Sequence, residues 1–294
     1  MSSQPAVVSA LVQPSGIRGR LSRASSAFEW IATRLGPILL FAFIFWIWFP
    51  IVDLALMSIN KEPFRGIPNG SLTSGWYRSL FSAMGVTSAV RTSALIALVI
   101  GVLVAAISFT VARKFGTVRH RGVFLVYVLL PVFVPGLVFG FAVLIYSAQL
   151  GISLGNTTVA AVHLAWALPF GFLAMLIATS RLDLRLLEAA ADLGATRWQV
   201  FRDIEFPLLR PGLVSALLFG FLLSFNELVR SIFVSGQTVT LPLYMWAQNS
   251  SHTSTVPLVY ALETLIMLGS LALIGVAYWL LFRGASVSRL GRNV

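Results

Sequence analysis

The sequence predicts an all-α polytopic membrane protein with six transmembrane helices. Of its 294 residues, 57% are hydrophobic and only 11% charged, whereas an average soluble domain carries about a quarter charged residues. Mean hydropathy is +0.88. Six separate stretches also reach the length of about 20 mostly apolar residues that crossing a hydrocarbon core of roughly 30 Å requires. The domain organisation expected is an N-terminal tail (1–35), a six-span domain (36–282) and a C-terminal tail (283–294).

The tail before Gly36 is rich in Ser and Arg and lacks a short apolar core followed by a small-residue cleavage site, so it reads as a cytosolic lead into an uncleaved first span. That span runs from Gly36 to Met57, with Asp53 near its outer end. Beyond it, Trp76, Tyr77, Leu80, Phe81 and Met84 recur at helical spacing, which predicts a short amphipathic helix, either lying at the interface or packing between spans. The second span covers Ser88 to Ala112. The third covers Val123 to Ala148 and is interrupted by Pro131, Pro135 and Gly136, while Gly136 and Gly140 form a small-xxx-small pair that permits close helix approach. The fourth runs from Thr157 to Ser180 with Pro169 inside it, the fifth from Gly212 to Ser235, and the sixth from Val256 to Phe282.

Charge gives the orientation. Arg18, Arg20, Arg23 and Arg34 in the tail, Arg113, Lys114, Arg119 and Arg121 after the second span, Arg181, Arg185, Arg197, Arg202 and Arg210 between the fourth and fifth, and Arg283, Arg289 and Arg292 at the end all fall on one side. The other side holds Lys61, Arg65, Arg78 and Arg91. The positive-inside bias therefore places both termini in the cytoplasm. It also accounts for most of the net charge of +11, which in a soluble chain would suggest nucleic acid as partner.

Catalytic signatures are sparse. There is no Cys, which excludes disulfides, thiolate metal sites and cysteine nucleophiles together. No Walker-type glycine loop and no H-E-x-x-H occurs, and His stands only at 120, 163 and 252. Gly151-Ile-Ser-Leu-Gly155 matches G-x-S-x-G literally, but a nucleophile elbow needs a strand before it and a helix after it. Here it links two spans, which disfavours Ser153 as the nucleophile of a membrane-embedded hydrolase.

The segment from Leu182 to Pro211 is the informative one. Leu186 to Leu193 favours a helix, Gly194 permits a sharp turn, and Thr196 can cap a second helix that ends before Pro207. Trp198, Phe201 and Ile204, three residues apart, would be costly to expose unless they pack on membrane helices or on a partner. A DNA-reading helix-turn-helix has the same outline, but Asp183, Glu188, Asp192, Asp203 and Glu205 cancel the five Arg, which disfavours phosphate binding and any nucleic-acid partner.

This loop resembles the signature of the integral membrane permease subunits of ABC importers that work with a solute-binding protein. Their pattern of E-A-A, three residues, G, and a stretch ending in L-P and P-G is matched in order and spacing by Glu188-Ala189-Ala190, Gly194, Phe206-Pro207 and Pro211-Gly212. The resemblance spans about Trp76 to Ile274. It is nearest to the spermidine/putrescine-type subgroup through Leu130-Pro131, Pro135-Gly136, Asp192-Leu-Gly-Ala195, Leu223-Ser-Phe-Asn-Glu227 and Thr240-Leu-Pro-Leu-Tyr244.

The resemblance implies a type I importer permease in a bacterial inner membrane, not itself an enzyme. It would form half of a translocation path together with a second, homologous permease, two cytoplasmic ATP-binding subunits and an extracytoplasmic binding protein, surrounded by lipid. ATP and Mg would be used by the ATPase, and no cofactor by this chain. The loop would dock on the ATPase: Glu188 bracing it, Ala189 and Ala190 keeping the contact thin, Gly194 and Ala195 allowing close approach, and Phe201, Pro207, Pro211 and Gly212 completing the motif.

Charged residues within spans usually face a protein interior or an aqueous path. On a continuous fifth helix, Ser224, Glu227, Arg230 and Ser231 form one polar stripe, expected to line the path beside Asn226 and with Glu263 on the sixth span. Alternatively Arg230 pairs with Glu227 or Glu263 to hold helices together. The polyamine subgroup usually carries an acidic pair where this chain has Asn226 and Glu227. Only the second acid is kept and Arg230 is added, which admits other small amines, opines, amino-acid-like or phosphonate solutes. A secondary transporter coupled to ions through its intramembrane acids is the competing class.

Overall fold

The computed structural model describes residues 15–62, 71–251 and 255–282. Among these the regular secondary structure is helical, apart from one isolated antiparallel bridge between Asn60 and Leu72. Helix α1 (Ser15–Ser58) contains a 26-residue apolar stretch, Thr33–Ser58, long enough to cross a membrane. It begins well ahead of the predicted span, so Arg18, Arg20 and Arg23 lie on helix and not on an irregular tail. The chain up to Met57 forms one unit, and the residues from Ser58 onward form a second. Arg65, His252, Arg283, Arg289 and Arg292 lie outside the described residues.

The second unit opens with α2 (Gly75–Ser82) and α3 (Val86–Lys114). On α2, Leu80 is buried, with Trp76 and Tyr77 packed behind it, while Phe81 is 85% exposed and Met84 lies beyond the helix end. The predicted amphipathic helix thus packs by one edge and exposes the other. Asn60 fixes its start, accepting a 2.9 Å hydrogen bond from the Trp76 indole at its carbonyl.

The predicted third span is two helices, α4 (Arg121–Phe133) and α5 (Gly136–Gln149), which meet at 95°. At 1.5 Å per residue each is only about 20 Å long, so neither crosses alone. Pro135 has no N–H to continue the ladder of α4 and its ring disfavours helical geometry at Val134, which is extended. Helix α6 (Asn156–Ser180) agrees with the predicted fourth span. The literal G-x-S-x-G between α5 and α6 has a helix before it, not a strand, so the elbow geometry is not met.

The fifth span departs from expectation at both ends. The loop contains α7 (Leu184–Asp192) and α8 (Arg197–Val200), but the second loop helix does not stop before Pro207. It passes through a π-helical turn at Phe201–Glu205 directly into α9 (Phe206–Phe225). Pro207 follows the π-helical turn; it has no N–H to offer the ladder, and the wider turn ahead of it is where the ladder changes register. At the other end α9 stops at Phe225, residues 226–230 are non-helical, and α10 covers only Ser231–Val234. The predicted continuous helix from Gly212 to Ser235 is therefore broken where its polar residues cluster. Helices α11 (Leu241–Ser251) and α12 (Val256–Phe282) complete the fold, the latter matching the predicted sixth span.

Helices α3, α6 and α9 form the core of this unit. Hydrophobic sorting contributes little between helices in lipid, so close packing through small residues has to hold them. Gly101 and Gly220 bring α3 and α9 into backbone contact: a Cβ on Gly220 would lie 2.8 Å from the Gly101 Cα and 2.9 Å from the Val104 Cβ. Gly171 on α6 leaves room for Val104, and Gly212 for Ala178. Three apolar clusters surround this core: around Leu80, Leu241 and Leu262; around Ile100, Val159 and Val162; and around Ala112, Phe172 and Leu209.

Candidate functional site

Two regions carry the residues that the sequence singles out. The first is the loop between α6 and α9. Asp183 caps α7 by accepting a 3.0 Å bond from the Arg185 N–H. Gly194 then takes φ +87°, the left-handed conformation that glycine adopts without a Cβ penalty. Thr196 and Gln199 close a reciprocal capping box on α8: the Gln199 N–H donates to Thr196 Oγ1 at 3.3 Å, and the Thr196 N–H to Gln199 Oε1 at 2.8 Å.

The loop is exposed along most of its length. Leu193 is 90% and Trp198 63% exposed. Glu188 and Ala189 are exposed, Ala190 and Ala195 half-buried, and no side-chain partner for Glu188 occurs among the described residues. A Cβ on Gly194 would meet nothing within 4 Å. The far end is anchored: Phe201 packs edge-on to Phe109 of α3 and beside Trp198 and Phe206. Pro207 and Pro211 lie exposed on α9, with Gly212 buried against Ala178 and Met175. Of the apolar triad Trp198, Phe201 and Ile204, the first is therefore left open while the others are half-buried.

The second region is the break after α9. The Arg230 guanidinium donates from Nη1 to Glu227 Oε2 at 2.9 Å, and the Arg230 backbone N–H donates to Oε1 at 3.0 Å. Both residues are buried. The guanidinium carbon sits 3.8 Å from the centre of the half-buried Trp166 ring on α6, a cation–π contact. Next to this pair, His163 is almost wholly buried and bridges two serines, with Nδ1 2.8 Å from Ser224 Oγ and Nε2 2.8 Å from Ser231 Oγ. Ser231 donates in turn to the Glu227 carbonyl at 2.8 Å. The bent helix approaches from the other side: a Cβ on Gly136 would stand 3.2 Å from the guanidinium, and one on Gly140 2.9 Å from the Arg230 carbonyl.

Ser224, Glu227, Arg230 and Ser231 are thus brought together across a break in the helix and not by the periodicity of a continuous one. Asn226 is exposed and turns its amide back to the Leu222 carbonyl. Glu263, half-buried on α12, forms no ion pair among the described residues. His163 and Trp166 complete the cluster without having been singled out in the sequence. The available signal is a histidine and a tryptophan three residues apart on one face of an apolar helix. Every buried polar atom named in this cluster has a partner, so the arrangement neutralises the charge of Glu227 within the chain.

Comparison with known proteins places the whole. The family model described as binding-protein-dependent transport system inner membrane component matches residues 97–285. The spermidine/putrescine transport system permease protein PotC of Haemophilus influenzae is 31% identical over 232 residues, 78% of this chain and 89% of that relative. The putrescine transport system permease protein PotI of Escherichia coli is 30% identical over 264 residues, 86% and 92% of the two chains. Among solved structures, a bacterial ABC transporter involved in the import of the polysaccharide alginate superposes with a TM-score of 0.63 at 15% identity, covering 84% of this chain and 95% of that one, a likeness of fold. The chain therefore belongs to the binding-protein-dependent transport system inner membrane components, as a permease subunit of an ABC importer.

Proposed function

We propose that this permease forms one half of a pore with a homologous second permease, that its α7–α8 loop docks on a cytoplasmic ATP-binding subunit, and that the solute is a small polyamine-like cation. Members of this family act generally with a partner permease, an ATPase and a solute-binding protein. The observation that carries the docking reading is the exposed helix–turn–helix itself. A well-capped turn that presents Leu193 at 90% and Trp198 at 63% exposure has apolar surface to lose to a partner, and Glu188, exposed and without a side-chain partner among the described residues, is free to brace that contact. Hydrolysis of ATP with Mg belongs in this reading to the partner subunit.

Cytoplasmic termini follow from the charge bias. The contact between Arg113, at the end of α3, and Glu205 supports this, because it brings two Arg-rich loops to the same end of the bundle. The polyamine class is supported by the names of the relatives. Pairing of Glu227 with Arg230 favours a second reading, a zwitterionic or anionic solute, since the fifth span then offers no uncompensated acid. Co-purification with the ATPase and the binding protein, followed by uptake of putrescine, spermidine and a neutral amino acid into proteoliposomes, tests both. Transport without any ATPase would overturn the importer assembly, and saturable uptake of the amino acid alone would select the second reading. A reporter fused after Val294 is expected inside, and an external signal there would refute the orientation.

A further inference from the structure

Arg113 stands in the last turn of α3, and its planar fork meets the Glu205 carboxylate with both arms: Nε to Oε1 at 2.5 Å and Nη2 to Oε2 at 2.6 Å. The two residues lie 92 positions apart in the chain. Two rings flank the guanidinium, Phe109 of α3 and Phe201 of the π-helical turn, each with its centre 5.2 Å away. The Glu205 side chain is 12% exposed and that of Arg113 35%. A bidentate, partly desolvated pair between aromatic walls holds its geometry far better than an exposed ion pair. Such an exposed pair is present for comparison two residues away, where Arg202 meets Asp203 with side chains 62% and 51% exposed.

The place of this clamp matters more than its strength. Among the described residues it is the only ion pair that joins the loop to another span. Contacts run from exposed Trp198 to Phe201, from Phe201 to Phe109 and Arg113, and so into α3, which packs on both α6 and α9. The π-helical turn makes the connection possible, since one extra residue per turn sets Glu205 inward while Arg202 and Asp203 stay outside. We infer that Arg113 and Glu205 are a positioning pair that ties the π-helical turn to the end of α3, beside the continuous helix into α9, so that without it movement of the α7–α8 loop reaches α3 less effectively. This rests on the docking reading given under Proposed function.

The test uses the assembled importer with its ATPase and binding protein in proteoliposomes. Because the chain has no Cys, Leu193→Cys gives a single reporter for crosslinking the loop to the ATPase. With Arg113 and Glu205 intact, absence of that crosslink would overturn the docking reading itself. With the crosslink present, Arg113→Glu and Glu205→Arg are expected to keep it and to keep ATP hydrolysis, but to lower solute transported per ATP about tenfold, as befits a residue along a coupling network. The exchange Arg113→Glu with Glu205→Arg is expected to recover most of that loss, and Arg113→Lys, which keeps the charge but not the fork, to fall between. Unchanged transport per ATP in both single variants would overturn the inference. So would parallel loss of transport, hydrolysis and complex yield that the exchange does not mend.

Discussion

Replacing Glu227 by Gln tests whether the buried acid serves the solute or the fold. At the observed 2.9 Å between Arg230 Nη1 and Glu227 Oε2, opposite unit charges attract by about 6 kcal/mol at an effective dielectric of ~20. Desolvation of both ions offsets much of this, yet removing one partner of a buried pair still costs about 3–5 kcal/mol because the other is left unpaired. A Gln amide can accept the Arg230 backbone N–H as Oε1 now does, but its nitrogen then faces the guanidinium, donor against donor. Glu227→Gln should therefore lower the stability of the assembled complex by that amount. Arg230→Gln should do the same and also lose the Trp166 contact, worth about 0.5–2 kcal/mol. The double change to two amides lets each pair with the other and should recover most of the loss, giving a large coupling energy in the cycle. Thermal melting of the purified complex at fixed protein and lipid concentration measures all four corners, with uptake measured alongside. The reasoning is refuted if Glu227→Gln melts like the parent while uptake falls, since the carboxylate then works on the solute and not on Arg230.

Gly194→Ala should cost only about 1–2 kcal/mol of local strain at φ +87° and leave transport in place, whereas Gly194→Trp should abolish uptake without loss of membrane insertion. Normal uptake by the Trp variant would show that no subunit seats against the turn. Gly220→Ala pushes a Cβ to 2.8 Å from the Gly101 Cα and should destabilise by about 1–3 kcal/mol, read as a lower melting temperature of the complex. An unshifted melt would mean that α3 and α9 separate freely. His163→Ala leaves Ser224 Oγ without its partner at a cost of about 1–3 kcal/mol, and His163→Gln, which can keep one of the two bonds, should cost less in the same assay.

The spans were readable in the sequence because length and apolarity fix a membrane helix almost alone, so Thr157 to Ser180 and Val256 to Phe282 agree with α6 and α12 to within a residue. The loop's turn was readable for the same local reasons: Gly194 has the φ only glycine takes easily, and Thr196 the cap it was expected to form. What periodicity hid was the break after Phe225. A Leu- and Phe-rich run looks helical whether or not the backbone continues, and the break at 226–230 sits among tertiary partners that local sequence does not show, namely His163, Trp166 and the Gly136–Gly140 face. Pro135 signalled an interruption of the third span but not its 95° angle, which depends on what the two halves pack against. In the sequence Arg113 and Glu205 are only two charges, because nothing local joins residues 92 positions apart.

The glycine contact between α3 and α9 also restricts how this subunit can change shape. Domain motions divide into shear, in which packed elements slide, and hinge, in which they turn as bodies about a few points. Sliding α9 by one turn along α3 would put Ala216 or Ser224 where Gly220 now touches Gly101, a place where an added Cβ already stands within 3 Å of two neighbours. Shear is thus sterically barred along this seam. This steric bar keeps α3 and α9 together, and leaves the breaks in the helices, at 226–230, at Val134–Pro135 and in the loop before α8, as the places where the backbone can bend.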